Sequence, residues 1–179
     1  MPALADPAGA TASRDLVVTP DGVLRRHGRQ WRCAVGRGGV RNGKREGDGA
    51  TPAGRFPLRR LLYRPDRLPV PACALPAGPL APDDGWCDDP ADAAYNRPVK
   101  LPYGARHERL WRDDRLYDLI VVLGHNDDPV VPGHGSAAFL HVSGPEYPPT
   151  DGCVALALRD LLELLAAVSA DDRLVVESR

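Results

Sequence analysis

A cysteine and a histidine stand 12 residues apart in residues 139–154, FLHVSGPEYPPTDGCV, and their chemistry is that of a nucleophile and a base. Residues 137–142 read as a short strand with Ala138, Leu140 and Val142 on one face and Phe139 and His141 on the other. Gly144, Pro145, Pro148 and Pro149 forbid helix and predict a stiff surface loop over 143–149. Beyond the cysteine, Leu158, Leu161, Leu162, Leu165 and Val168 recur at helical spacing. Cys153 is therefore expected in the Gly152 turn feeding this helix, where the dipole and unpaired amides favour a thiolate. His141 returns across the loop as the general base, and Gly152 lets backbone amides approach a developing oxyanion. Such a site suits acyl transfer. The alternative is a buried apolar cysteine and an edge histidine.

The elements that must position this pair are mostly strands. Residues 16–19 open the ordered chain, and 23–26 and 30–35 form a hairpin around His27-Gly28-Arg29. Trp31, Cys33 and Val35 share a face, which assigns Cys33 to the core. Residues 119–123, LIVVL, hold no polar side chain and read as a strand buried on both faces. Gly124-His125-Asn126-Asp127-Asp128 ends it, making Asn126 a candidate substrate contact, with turn formation as the alternative. Residues 106–118 read as a short helical or irregular approach to that strand, and 173–177 as the closing strand. Ala157 is a weak cap for the one clear helix. The fold class is mostly β: a β-sandwich of mixed sheets with one main helix after the cysteine.

Composition sets limits on partners. The 179 residues fit one domain over 15–179, and 23 basic against 24 acidic side chains leave a net charge of -1, which gives no field to attract nucleic acid. Residues 1–14 lack the charged and apolar regions of a secretory signal and are expected to be disordered; no stretch is long and apolar enough to span a bilayer. Residues 36–54 are glycine-rich without the Gly-Lys-Ser/Thr of a nucleotide loop, and Arg37, Arg41, Lys44 and Arg45 there could meet substrate carboxylates. Residues 68–89, rich in proline and aspartate, read as a loop insertion with a binding or lid role. Cys73 and Cys87 within it either pair or remain thiols. Asp83, Asp84, Asp88 and Asp89 lack the ligand spacing of a calcium loop, and His125, His134, His141 and Cys153 lack that of a zinc motif. No metal or organic cofactor is expected.

Two stretches carry a resemblance. His141 followed by Thr150-Asp151-Gly152-Cys153-Val154 resembles the signature of the L,D-transpeptidase catalytic domain (YkuD-like) family, in which a histidine precedes Ser/Thr, any residue, Gly, Cys and an aliphatic residue. Residues 48–56, DGATPAGRF, are similar to the family's early Thr-Pro-x-Gly-x-Phe/Tyr stretch. The resemblance covers residues 16–179. Many members carry histidine where Asp151 stands and Arg or Asn where Ala155 stands, so a divergent branch is implied. The resemblance implies attack by Cys153 on a peptidoglycan stem peptide, loss of terminal D-alanine and resolution of the thioester by an amine of another stem. The Gly152 and Cys153 amides would hold the oxyanion, and Thr150 and Asp151 would shape the loop and meet the substrate. An L,D-carboxypeptidase or murein peptide hydrolase with the same site is the first alternative, and a non-catalytic wall-binding module the second. A periplasmic or envelope location is implied, while the start of the sequence leaves the cytoplasm open.

Overall fold

The computed structural model describes residues 14–178. Short apolar runs punctuated by Gly and Pro become short strands: β1 (Leu16–Thr19), β2 (Val23–Arg26), β3 (Arg29–Ala34), β4 (Val40–Arg41), β5 (Thr51–Pro52), β6 (Gly54–Tyr63) and β7 (Ala77–Pro79). They continue as β8 (Asp84–Cys87), β9 (Pro98–Lys100), β10 (His107–Arg109), β11 (Leu119–Leu123), β12 (Phe139–Val142) and β13 (Val154–Leu156). Helix α1 (Leu158–Ala167) and β14 (Arg173–Val176) close the chain. The β2–β3 hairpin turns on His27 and Gly28 at φ 47° and 76°, the two positive values that a tight two-residue turn needs.

The strands do not form a sandwich. Neighbours run β11-β12-β13-β3-β2-β1-β14-β6, and β6 pairs again with β11, so eight strands close into a barrel-like sheet with β7 added beside β6. The physical reason is the length of β6. Its first residues, 54–57, pair with β14 and its later ones, 58–63, pair with β11, so one ten-residue strand joins both ends of the sheet. Closure removes the open edges that a sandwich would have to protect.

Two cores share the central strands. Leu119, Val121, Leu140, Val142, Val154 and Leu156 enter the larger core with Leu161, Leu164 and Leu165 of α1. The opposite faces, through Ile120, Val122 and Phe139, meet Trp86, Leu110 and Tyr117 in a second core. This double cover explains why β11 is apolar at every position. Trp86 comes from a three-stranded sheet, β10-β8-β9, laid over that side of the barrel.

The remaining differences from the sequence reading are local. Of the two readings of 106–118 the irregular one holds for 110–118, while His107–Arg109 form β10 because they find a partner in β8. Residues 68–89 are not a bare loop: β7 pairs with β6, and β8 is the middle strand of the small sheet. Asp83 and Asp84 pair with Lys100, and Asp88 with Arg106, so these acids fix loops. Cys73 lies at the margin of the barrel core and Cys87 is buried in β8; all four cysteines are free thiols. The segment 1–13 lies outside the described residues. α1 starts after Ala157 with no side-chain cap. Among the described residues, no helix is long and apolar enough to cross a membrane.

Candidate active site

Strand alternation brings the cysteine and histidine to one cleft. β12 and β13 run parallel with Leu140 opposite Val154 and His141 opposite Ala155. Leu140, Val142, Val154 and Leu156 point into the barrel, so His141, Cys153 and Ala155 fall on the other face and line a cleft of about 530 Å³. Cys153 thus precedes a strand rather than a helix. The expected help from a helix dipole is absent, because residues 154–156 add to the sheet before α1 begins.

The loop that carries Cys153 is held by the early stretch. Gly36 and Thr150 form a parallel bridge, with Arg37 N–H donating to the Thr150 carbonyl at 2.8 Å and Thr150 N–H to that of Val35 at 3.0 Å. Thr51 Oγ1 accepts from Gly36 N–H at 2.8 Å and donates to the Cys153 carbonyl at 3.4 Å, while Thr150 Oγ1 donates to the same carbonyl at 2.6 Å. The two stretches, about a hundred residues apart, therefore converge on one backbone atom. Thr150 acts inward on the loop, whereas Asp151 stays exposed and pairs with Arg37 on the cleft rim.

Gly152 is required by shape. Its φ is +135°, and a Cβ there would lie 2.8 Å from the Ala50 carbonyl oxygen. Gly152→Ala is expected to destabilise the protein by about 1–3 kcal/mol, through backbone strain and that contact. Thermal unfolding measures it; an unchanged melting point would show that the loop can move aside.

Both central groups rest in their neutral forms. Burial pushes the Cys153 thiol up to about 12, with the charge of Glu108 acting in the same sense and the Phe139 amide and Lys44 opposing. The thiol donates to the Ala137 carbonyl at 3.2 Å. His141 is 5 % exposed, and burial draws it down to about 4, while the carbonyls of Val142 and Leu116 oppose that fall. Its Nδ1 lies 2.8 Å from the Val142 carbonyl, which fixes the proton on Nδ1 and leaves Nε2 as the basic nitrogen. The Tyr117 ring packs edge-on against His141, centroids 5.1 Å apart, and its hydroxyl donates to Glu108.

Asn126 is not brought to this cleft. It sits at φ 48° with Nδ2 donating to the Val131 and Gly135 carbonyls and Oδ1 accepting from Val131 N–H, so it closes its own loop. Asn96 takes the organising role. Buried to 4 % exposure, it accepts from Trp86 Nε1 at 2.9 Å and Ala137 N–H at 3.0 Å and donates to the His125 and Asn126 carbonyls. It thereby ties the small sheet to the segment whose carbonyl holds the thiol. Lys44, Glu46, Glu108 and Tyr117 also line the cleft; sequence reading placed only Lys44 near a substrate. Among the described residues, no group of three or more His, Cys, Asp or Glu is placed to hold a metal ion.

A thiol and an imidazole lining one cleft, a glycine turn and a threonine-anchored loop are therefore assembled from the same two stretches that carry the sequence resemblance. A family model described as the L,D-transpeptidase catalytic domain matches residues 10–176, nearly the whole chain. No curated protein and no solved structure matches it. On that match the chain belongs to the family of L,D-transpeptidase (YkuD) catalytic domains.

Proposed function

We propose that the protein is an L,D-transpeptidase that joins peptidoglycan stem peptides through a thioester on Cys153. The observation that carries this reading is the convergence of Thr51 and Thr150 on the Cys153 carbonyl, in the cleft that His141 shares. In this mechanism the Cys153 thiol gives up the Ala137 carbonyl and takes His141 Nε2 as its partner. Because both groups start neutral, the proton passes to His141 Nε2 as the S–C bond forms, and the developing thiolate strengthens the base. The carbonyl π pair moves to oxygen. On collapse the C–N bond breaks, and His141 returns the proton to the departing amine of D-alanine. An amine of a second stem then attacks the thioester and gives up a proton to His141, and the C–S bond breaks to restore the thiol.

The stem peptide is the partner, with its acceptor strand entering the same cleft; Asp151 and Arg37, which line its rim, would meet it there. The site of action in this reading is the periplasm or envelope, which the family's action on peptidoglycan supports. The test supplies a disaccharide tetrapeptide ending in D-alanine together with an isotope-labelled amine acceptor. A Cys153 adduct with the mass of the donor less D-alanine, followed by label in the product, is expected. D-alanine released without label makes water the acceptor and the protein a carboxypeptidase. No adduct and no release would overturn acyl transfer.

A further inference from the structure

The tetrahedral intermediate of this reaction carries a negative oxygen, and the cleft must supply donors for it. The Gly152 amide is not one of them in this arrangement: its N–H donates to Thr150 Oγ1 at 3.2 Å, and that hydroxyl is in turn committed to the Cys153 carbonyl. Beside the Arg37–Asp151 pair, a lysine ammonium also lies against this turn. Lys44 lines the cleft with its side chain only 9 % exposed, and its Nζ lies 3.4 Å from where a Gly152 Cβ would stand.

The lysine is built into place. Gly135 leaves room for its stem, since a Cβ there would lie 2.8 Å from Lys44 Cγ and 3.1 Å from Cε. Asp48 accepts from Lys44 Nζ and is itself fixed by the N–H groups of Arg45 and Ala50, each at 2.9 Å. Those two amides offset part of the carboxylate's charge, so the ammonium keeps a field toward the cleft. Glu46, two residues on, is occupied elsewhere, accepting from Tyr95 Oη at 2.5 Å and Ser136 Oγ at 2.7 Å. An ammonium has three donors, and Asp48 takes one.

From this geometry we infer that Lys44 is a catalytic residue, its ammonium meeting the oxyanion that forms when Cys153 attacks the donor carbonyl. This rests on the acyl-transfer reading above. It assigns to a side chain the work that the Gly152 amide, turned to Thr150, does not do. The pull of Lys44 on the Cys153 thiol runs in the same direction, toward the anion.

The test compares single-turnover acylation of the wild type, Lys44→Gln and Lys44→Arg by the same tetrapeptide donor, read by mass spectrometry. Donor affinity is measured in a Cys153→Ala background with and without Lys44→Gln. Lys44→Gln keeps a donor for Asp48 while removing the charge; its acylation is expected to slow about 10²-fold with donor affinity unchanged, and Lys44→Arg to recover part of the loss. If Lys44→Gln melts below the assay temperature, the double variant Lys44→Gln/Asp48→Asn, which replaces the ion pair by two neutral amides, carries the same expectation. Acylation within threefold of wild type in the folded variant would overturn the inference alone. A loss confined to donor affinity would overturn it in favour of a ground-state contact. A wild type that forms no acyl-enzyme would overturn the acyl-transfer reading and this inference with it.

Discussion

Cys153→Ala is expected to abolish the acyl-enzyme and to reduce turnover on the order of 10⁴-fold or more, the scale seen when a covalent nucleophile is removed. The fold should survive. The change deletes one sulfur at a half-buried position at the edge of the second core and one weak hydrogen bond to the Ala137 carbonyl, a cost of about 1 kcal/mol. The loop around it stays anchored, because Thr51 and Thr150 bind the backbone carbonyl of residue 153 and not its side chain. Intact-protein mass after incubation with a carbapenem, a β-lactam that acylates the cysteine of many family members, reads the nucleophile directly. The wild type should gain one adduct mapped to Cys153 and the alanine variant none. A variant that unfolds, or one that still gains the adduct, would return Cys153 to a structural role.

What the sequence disclosed and what it hid follow from the range of each interaction. Alternation along residues 137–142 sets Leu140 and Val142 against Phe139 and His141, and the structure keeps that division, with Leu140 and Val142 in the larger core, Phe139 in the second and His141 on the cleft, because side-chain direction on a strand is a local property. The same holds for the apolar run that became β11. Barrel closure was not legible, since it depends on β6 meeting β14 and β11 in succession, and no residue within β6 announces two partners. The helix and its start after Ala157 are legible from the leucines, whereas the strand between Cys153 and the helix is not. Val154, Ala155 and Leu156 are apolar in either structure, and only the parallel pairing with β12 makes them a strand.

The cleft's charges were hidden for a related reason. Glu46, Glu108 and Tyr117 acquire meaning from contacts with residues far along the chain, and single-residue patterns carry no trace of that. Lys44 is the exception, legible as one of the basic side chains of the glycine-rich loop that could meet a substrate carboxylate, and with Arg37 it does line the cleft. For Asn126 the competing turn reading is what the geometry displays. A left-handed backbone and three hydrogen bonds within one loop are what an asparagine after a strand does most easily, and the buried hub is instead Asn96, also left-handed, in a stretch that offers no periodicity.

His141→Gln carries the second large effect, and its pH dependence separates a base from a packing residue. Turnover is expected to fall about 10³-fold, because glutamine cannot accept the thiol proton or return it to the leaving amine. Donor affinity should be kept. In the wild type the acid limb of acylation should lie well below the ordinary histidine range, near the value of about 4 to which burial draws His141, and it should vanish in the variant. Stability supplies an independent reading. In the unfolded chain this histidine titrates near 6.5 and in the folded protein near 4, so between those values the unfolded state binds more protons. The stabilising contribution of the neutral buried imidazole is therefore fully present above pH 6.5 and is lost as the pH falls through that window toward 4, amounting to roughly 3 kcal/mol. Urea unfolding of wild type and His141→Gln at pH 7.5 and pH 4 should show that much less acid destabilisation in the variant. Equal losses in both proteins, or a variant that keeps its turnover, would remove His141 as the base and leave the proton of Cys153 to another group in the cleft.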